Sequence, residues 1–307
     1  MTQMIGAEQI KKAAADVGFD LCGVARCRPF EADGAFFREW LAQGFGSSLD
    51  YLARNTDKRF DASLLVEGAR TVVVCAVSYK NEVGEGYAQG CRTKVASYAC
   101  AADYHSVIKP MLRAMAAELK AHYPALAGRA FVDSAPILEK RYAVEAGLGW
   151  IGRQSLLVTP RFGSFVLLGE LVLCDECDRY DEPLRTVGCG ACRRCVEACP
   201  NGAIRERHID TARCISCATI ERGESAAELH GWIFGCDECQ SVCPYNKRAE
   251  RGVCKGLAPR FAPQQMSAEQ WLTMSEEEFA QKMADTPLAR SGLERIKENV
   301  RRNILKF

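Results

Sequence analysis

Two short runs of cysteine hold the residue types and spacings best suited to chemistry in this chain. Cys189, Cys192, Cys195 and Cys199 are followed directly by Pro200, and Cys236, Cys239 and Cys243 by Pro244. A C-x2-C-x2-C-x3-C-P run gives three thiolates to one four-iron cluster and its fourth to another, so the first run calls for the second. Crossed ligation then assigns Cys189, Cys192, Cys195 and Cys243 to one 4Fe-4S cluster. Cys199, Cys236 and Cys239 fall to the other, with one position open. Cys214 and Cys217 both stand between the runs, in Arg213-Cys214-Ile215-Ser216-Cys217, and spacing alone does not choose between them. Thiolates are soft, charged ligands that suit iron–sulfur chemistry. Paired C-x-x-C motifs also make tetrahedral zinc sites, but two proline-terminated runs favour clusters.

The rest of the composition fits a reducing compartment. Seventeen cysteines in 307 residues, with no apolar leader in Met1–Lys12, read as metal or redox ligands rather than as a disulfide framework. No apolar run approaches the ~20 residues that span a bilayer, so a cytoplasmic protein without membrane contact is expected. The net charge of +1 gives no global attraction for nucleic acid, and any such contact must come from local patches. Cys22, Cys75 and Cys100 sit among apolar residues and read as small core side chains. In Cys174-Asp175-Glu176-Cys177 the acidic neighbours disfavour thiolate, so a surface hairpin is expected rather than a redox pair or half a zinc site.

The elements that must position these residues read as an α/β (α+β) domain over 1–180, a two-cluster ferredoxin-like domain over 187–256 and a short helical tail over 257–307. Strands are expected at Leu21–Ala25, Thr71–Tyr79, Arg129–Val132 and Ser164–Leu173. Helices are expected at Ala7–Val17, at Glu31–Gln43 with Phe36, Phe37, Trp40 and Leu41 on one side, and at Pro136–Ala146. The clearest helix follows Asp103, its expected N-cap, with Ile108, Met111, Leu112, Met115 and Leu119 on one face. Asp133, from its local context, reads as the cap of the helix that begins near Pro136. Ser267–Met274 and Ser275–Met283 read as two short helices, and Arg290–Phe307 as a last, basic one.

Further motifs carry a resemblance. They include Asp57-Lys58-Arg59, Asp103-Tyr104-His105, Asp133-Ser134-Ala135-Pro136, Gly147-Leu148-Gly149-Trp150-Ile151-Gly152, Leu168-Gly169-Glu170 and Cys236-Asp237-Glu238-Cys239-Gln240. Along nearly its whole length the chain resembles the epoxyqueuosine reductases, cobalamin-dependent iron–sulfur enzymes of queuosine biosynthesis. The resemblance implies a cobalamin between the N-terminal and ferredoxin domains, reduced through one of two 4Fe-4S clusters. It implies Cys214 as the remaining ligand beside Cys199, Cys236 and Cys239, with Cys217 a departure from the family's pattern. The implied reaction removes the epoxide oxygen of epoxyqueuosine in a tRNA anticodon loop, yielding queuosine and water.

Breaking that C–O bond requires a proton donor, and Asp133 matches the family's general acid, its carboxyl kept protonated by burial against cofactor. Arg59, Ala96, Asp133, Leu157, Leu168, Ser216 and Asp237 match positions where the family touches cobalamin. Arg153 stands where many members have lysine. His105 reads as a hydrogen-bonded structural residue before a second proton donor or a cobalt ligand, since the family binds cobalamin without a protein histidine on cobalt. Arg222, Arg301 and Arg302 are the candidates for phosphate contact. The sequence stops soon after its basic helix, so tRNA binding without the helical-repeat extension of some members is expected. The remaining expectations are an external electron donor and a monomer. Two other readings are a related cobalamin reductase acting on a different carbon–oxygen or carbon–halogen bond, and a ferredoxin-type electron carrier.

Overall fold

The computed structural model describes residues 4–47, 49–83, 86–185, 187–205, 208–221 and 225–305. Its centre is a four-stranded antiparallel sheet of β1 (Leu21–Arg26), β2 (Thr71–Ser78), β3 (Gly128–Phe131) and β4 (Val166–Leu173), in the spatial order β1-β2-β4-β3. All of β2 is buried, which explains its unbroken apolar run: both faces of the sheet are covered. On one face α1 (Ala7–Asp16) packs beside α3 (Tyr104–His122); α2 (Glu31–Ala42) lies between them in the chain. Ile108, Leu112 and Met115 of α3 meet Val73, Cys75 and Val77 there. On the other face α4 (Glu139–Glu145) sets Tyr142 and Ala143 against Val72, Val74 and Ala76. Burying each such Val or Ile side chain contributes roughly 1.5–3 kcal/mol.

Gly169 permits the close approach of α3 to β4. A Cβ there would stand 2.5 Å from Ile108 Cγ2. Asp103 caps α3 as expected, accepting from the His105 N–H at 3.0 Å.

The helix expected over Glu31–Gln43 is present as α2, with Gly34 buried and Phe37 and Trp40 lining a cavity. Two expectations fail on tertiary grounds. The helix placed at Pro136 starts at Glu139 without a side-chain cap, because Asp133 lies in a loop with φ of 51° and turns its carboxylate elsewhere. The last helix is broken at Gly292, whose φ of 77° separates Leu288–Ser291 from Leu293–Ile304.

Nor are the C-terminal helices a free tail. Trp271, Met283, Leu288, Ile296 and Val300 form a core with Val95, Cys100, Ile233 and Phe234. Both Ser267 and Ser275 close capping boxes, with Gln270 and Glu278. The cysteine-rich part is made of short helices at Arg194–Ala198, Ile215–Ile220, Glu238–Ser241 and Pro244–Lys247. No helix among the described residues is long and apolar enough to cross a membrane.

Candidate active site

Asp133 follows β3 directly, and its left-handed backbone turns the chain back toward the start of α3. Such a φ costs a non-glycine residue about 1–3 kcal/mol unless its surroundings hold it. Here the Asp133 N–H donates to Glu139 Oε1 at 2.7 Å, while its Oδ2 accepts from the Tyr104 hydroxyl at 2.5 Å. His105 Nε2 stands 3.9 Å from the same oxygen, and its Nδ1 lies 2.8 Å from Asp103 Oδ1. The helix cap therefore also orients the histidine. Arg290, from the C-terminal helices, pairs with Asp103 Oδ2 at 3.1 Å and lies over the Tyr104 ring. Burial raises the Asp103 carboxyl, but hydrogen bonds from His105 and the charge of Arg290 outweigh it and hold the group below its ordinary value. Tyr104 is raised by burial and then by Asp133, so it remains a donor to that carboxylate.

Behind this loop lies a carboxyl pair that pattern reading did not find. Glu170 is fully buried on β4, and neither of its oxygens meets an N–H or O–H donor. Its carboxyl contacts that of Glu139, so the two acids are stable together only with a proton between them. Burial first, then Asp133, pushes Glu139 up to about 7. One signal was available: Glu170 is the only charged residue in the apolar strand Val166–Leu173.

Asp133, Arg59, Phe37, Trp40, Tyr51 and Leu138 line one cavity of about 640 Å³. Arg59 Nε is buried in its wall with no hydrogen-bond partner, and burial lowers the guanidinium's pKa. Tyr51, also missed in the sequence, bonds Glu221 at 3.2 Å and is pushed up to about 12 by burial and that glutamate. The Asp133 carboxylate is 57% exposed in the chain alone, so the burial expected for it is not supplied by the protein's own side chains.

The other proposed cofactor contacts are distributed. Asp237 is buried, accepts from the Ser97 N–H and Oγ at 2.7 and 2.8 Å, and borders a second cavity of about 670 Å³ with Lys80, Asn81, Tyr87 and Trp232. Ala96 packs on Ile215 and Trp232. Leu157 and Leu168 belong to the core under α4. The Ser216 carbonyl accepts from Thr219 Oγ1 at 3.2 Å.

The structure brings cysteines of the two runs near one another. Cys195 lies within electrostatic reach of Cys189 and Cys243, and Cys239 within reach of Cys214, Cys195 and Cys199. Cys236 reaches Cys239 and Cys214. Cys217 neighbours Cys214, Thr211 and Glu221. Burial raises the Cys236 and Cys239 thiols, so ligation must release their protons. Cys214 and Cys243 are N-caps of short helices; burial raises the Cys214 thiol, against the lowering effect of the Cys217 and Ser216 amides. Arg153 clasps the first loop, donating to the Cys192 and Gly190 carbonyls at 2.9 Å each. Cys177 is buried, and Cys174 donates to the Glu67 carbonyl at 3.4 Å; burial and aspartate neighbours raise both thiols.

Of the arginines considered for RNA, Arg302 donates to the Ser225 and Ala227 carbonyls at 2.9 and 3.0 Å. Arg301 lies 3.9 Å from Glu294, and Arg222 falls outside the described residues.

With this geometry in place, comparison with known proteins is decisive. A family model for epoxyqueuosine reductase QueG, DUF1730, matches residues 59–134, and one for a 4Fe-4S double cluster binding domain matches 188–246. The epoxyqueuosine reductase of Cyclobacterium marinum is 39% identical, with 96% of this chain and 94% of that protein covered. The chain belongs to the epoxyqueuosine reductase family. The Leadbetterella byssophila epoxyqueuosine reductase is 34% identical over 96% of this chain and 97% of its own length. The fold is that of the solved epoxyqueuosine reductase from Streptococcus thermophilus, with a TM-score of 0.85 at 24% identity, covering 97% of this chain and 80% of that one. An epoxyqueuosine reductase solved with an epoxyqueuosine-modified tRNA-Tyr stem loop gives the same values.

Proposed function

We propose that this chain reduces epoxyqueuosine to queuosine in the anticodon loop of tRNA, with Asp133 as proton donor. The observation that carries the reading is the Asp133 carboxyl itself. Tyr104 donates to it and Glu139 holds the Asp133 N–H, at the wall of a cavity large enough for a flipped nucleoside. Opening the epoxide and expelling its oxygen takes two electrons and two protons and releases water. Asp133 delivers a proton to the departing oxygen, and the Tyr104 hydroxyl then stabilises the carboxylate left behind. His105, held by Asp103, is placed to return a proton to Asp133 after a small closing movement.

Cysteine donors suit two 4Fe-4S clusters, assigned here to Cys189, Cys192, Cys195 and Cys243 and to Cys199, Cys214, Cys236 and Cys239. The buried, unpartnered Arg59 Nε suits an amide- or phosphate-bearing cofactor such as cobalamin, which Arg59 would help to hold. When bound, cobalamin would supply a redox-active cobalt centre for the reduction. The electrons originate from an external donor, and the setting is the cytoplasm, where tRNA is modified.

The test is turnover of tRNA carrying epoxyqueuosine by anaerobically reconstituted protein under a strong reductant, followed by nucleoside mass spectrometry. Queuosine is expected. Unchanged epoxyqueuosine with both clusters present and cobalamin bound would contradict the reading.

A further inference from the structure

A groove of about 570 Å³ runs between α3 and the outer edge of β3. Lys109, Arg113 and Lys120 line it from the helix and Arg129 from the strand, and no acidic residue borders it. None of the four has an ion-pair partner among the described residues, whereas Arg141, Arg161, Arg251 and Arg290 all do. Lys109 and Lys120 stand eleven helical residues apart, which sets the row of charge at roughly 16 Å. Arg129 lays its guanidinium over the Phe131 ring, 5.1 Å from the centroid, which holds that charge at the groove. Ser134 and Ala135 border both this groove and the Asp133 cavity, forming the ridge between them.

From this juxtaposition we infer that the groove holds the sugar–phosphate backbone of the tRNA flanking the nucleotide presented to Asp133. The inference rests on the tRNA reading above and locates its electrostatic contact. Phosphates neutralised by lysine and arginine position a nucleic acid without reading its sequence, and a polyanion is the partner that four cations without a counter-charge fit. The free edge of β3 also accommodates an added peptide strand, but that mode draws on backbone groups and gives the cations no role.

The test uses the full reconstituted chain and an epoxyqueuosine-modified tRNA stem loop, with affinity measured from low to high salt. The fourfold variant Lys109→Gln, Arg113→Gln, Lys120→Gln, Arg129→Gln should bind at least tenfold more weakly. Its log–log salt slope should be shallower by about 0.7–0.9 for each phosphate that the variant no longer neutralises. In turnover the loss should fall on KM. The charge-keeping pair Lys109→Arg, Lys120→Arg should keep the wild-type slope, which separates charge from misfolding, and iron content verifies assembly. An unchanged slope and KM in the fourfold variant would overturn the assignment. So would unchanged RNA affinity with turnover abolished only when electrons come from a protein donor, since that assigns the groove to the donor. Wild-type protein that binds the stem loop through these residues but leaves epoxyqueuosine intact would sustain the groove and sink the proposed reaction.

Discussion

The cysteine-rich part and the Asp133 site solve the problem of placing reactive groups in opposite ways. In the first, most candidate ligands follow one another within two short runs, although each proposed set also takes a cysteine from outside its own run. In the second, one carboxyl depends on partners from four separate elements: Tyr104 and His105 on α3, Glu139 on α4, Glu170 on β4 behind it, and Arg290 from the C-terminal helices through Asp103. Runs of closely spaced donors make most of a cluster site local in sequence. Convergent packing makes the acid site sensitive to distant change, and lets the fold tune one proton.

The largest expected effect tests the local half. Cys214→Ser should remove one cluster, reducing iron from about eight to about four per chain, while Cys217→Ser keeps both. Iron and sulfide counts decide it, and the reverse result would exchange the two cysteines. Next comes the convergent half. Tyr104→Phe removes the donor to Asp133 without touching the clusters and should lower kcat roughly 10- to 100-fold, as for the loss of a hydrogen bond worth ~1.5–3 kcal/mol to a charged group. Retained iron with unchanged kcat would show that Asp133 does not need its partner.

The carboxyl pair gives a smaller, pH-dependent effect. Glu139 rises in the folded chain from 4.5 to about 7, so the native state holds more protons than the unfolded one across that window. Its contribution to stability is full below 4.5 and is lost as pH rises through about 7. Glu139→Gln keeps an acceptor for the Asp133 N–H and adds a donor for Glu170. Its Tm relative to wild type should therefore climb by roughly a few degrees over that interval. A difference that stays flat with pH would remove the shared proton.

What the sequence made legible follows the same division. The cysteine runs, the Asp103 cap, the strand Thr71–Ser78 and the capping boxes at Ser267 and Ser275 are set by residues within a few positions of each other. The left-handed backbone of Asp133 is not, because Tyr104 and Glu139 hold it from elsewhere. Local pattern therefore read Asp133 as a helix cap, and only the resemblance pointed to an acid. The Glu139–Glu170 contact and the reach of Arg290 depend on packing across the sheet and around it. The apolar side of α2 shows the converse. Phe37 and Trp40 have the pattern of a core stripe, yet they line the cavity beside Arg59. Gly292, inside the span expected as one basic helix, breaks it with a φ of 77°.

The central claim is that Asp133 supplies the proton on which C–O cleavage depends. Single-turnover reduction of epoxyqueuosine tRNA by Asp133→Asn, pre-reduced and saturated with cobalamin, tests it most directly. The account predicts wild-type iron content, cobalamin binding and tRNA affinity with queuosine formation slowed by ~10²–10⁴-fold. Queuosine formation at the wild-type rate would contradict it.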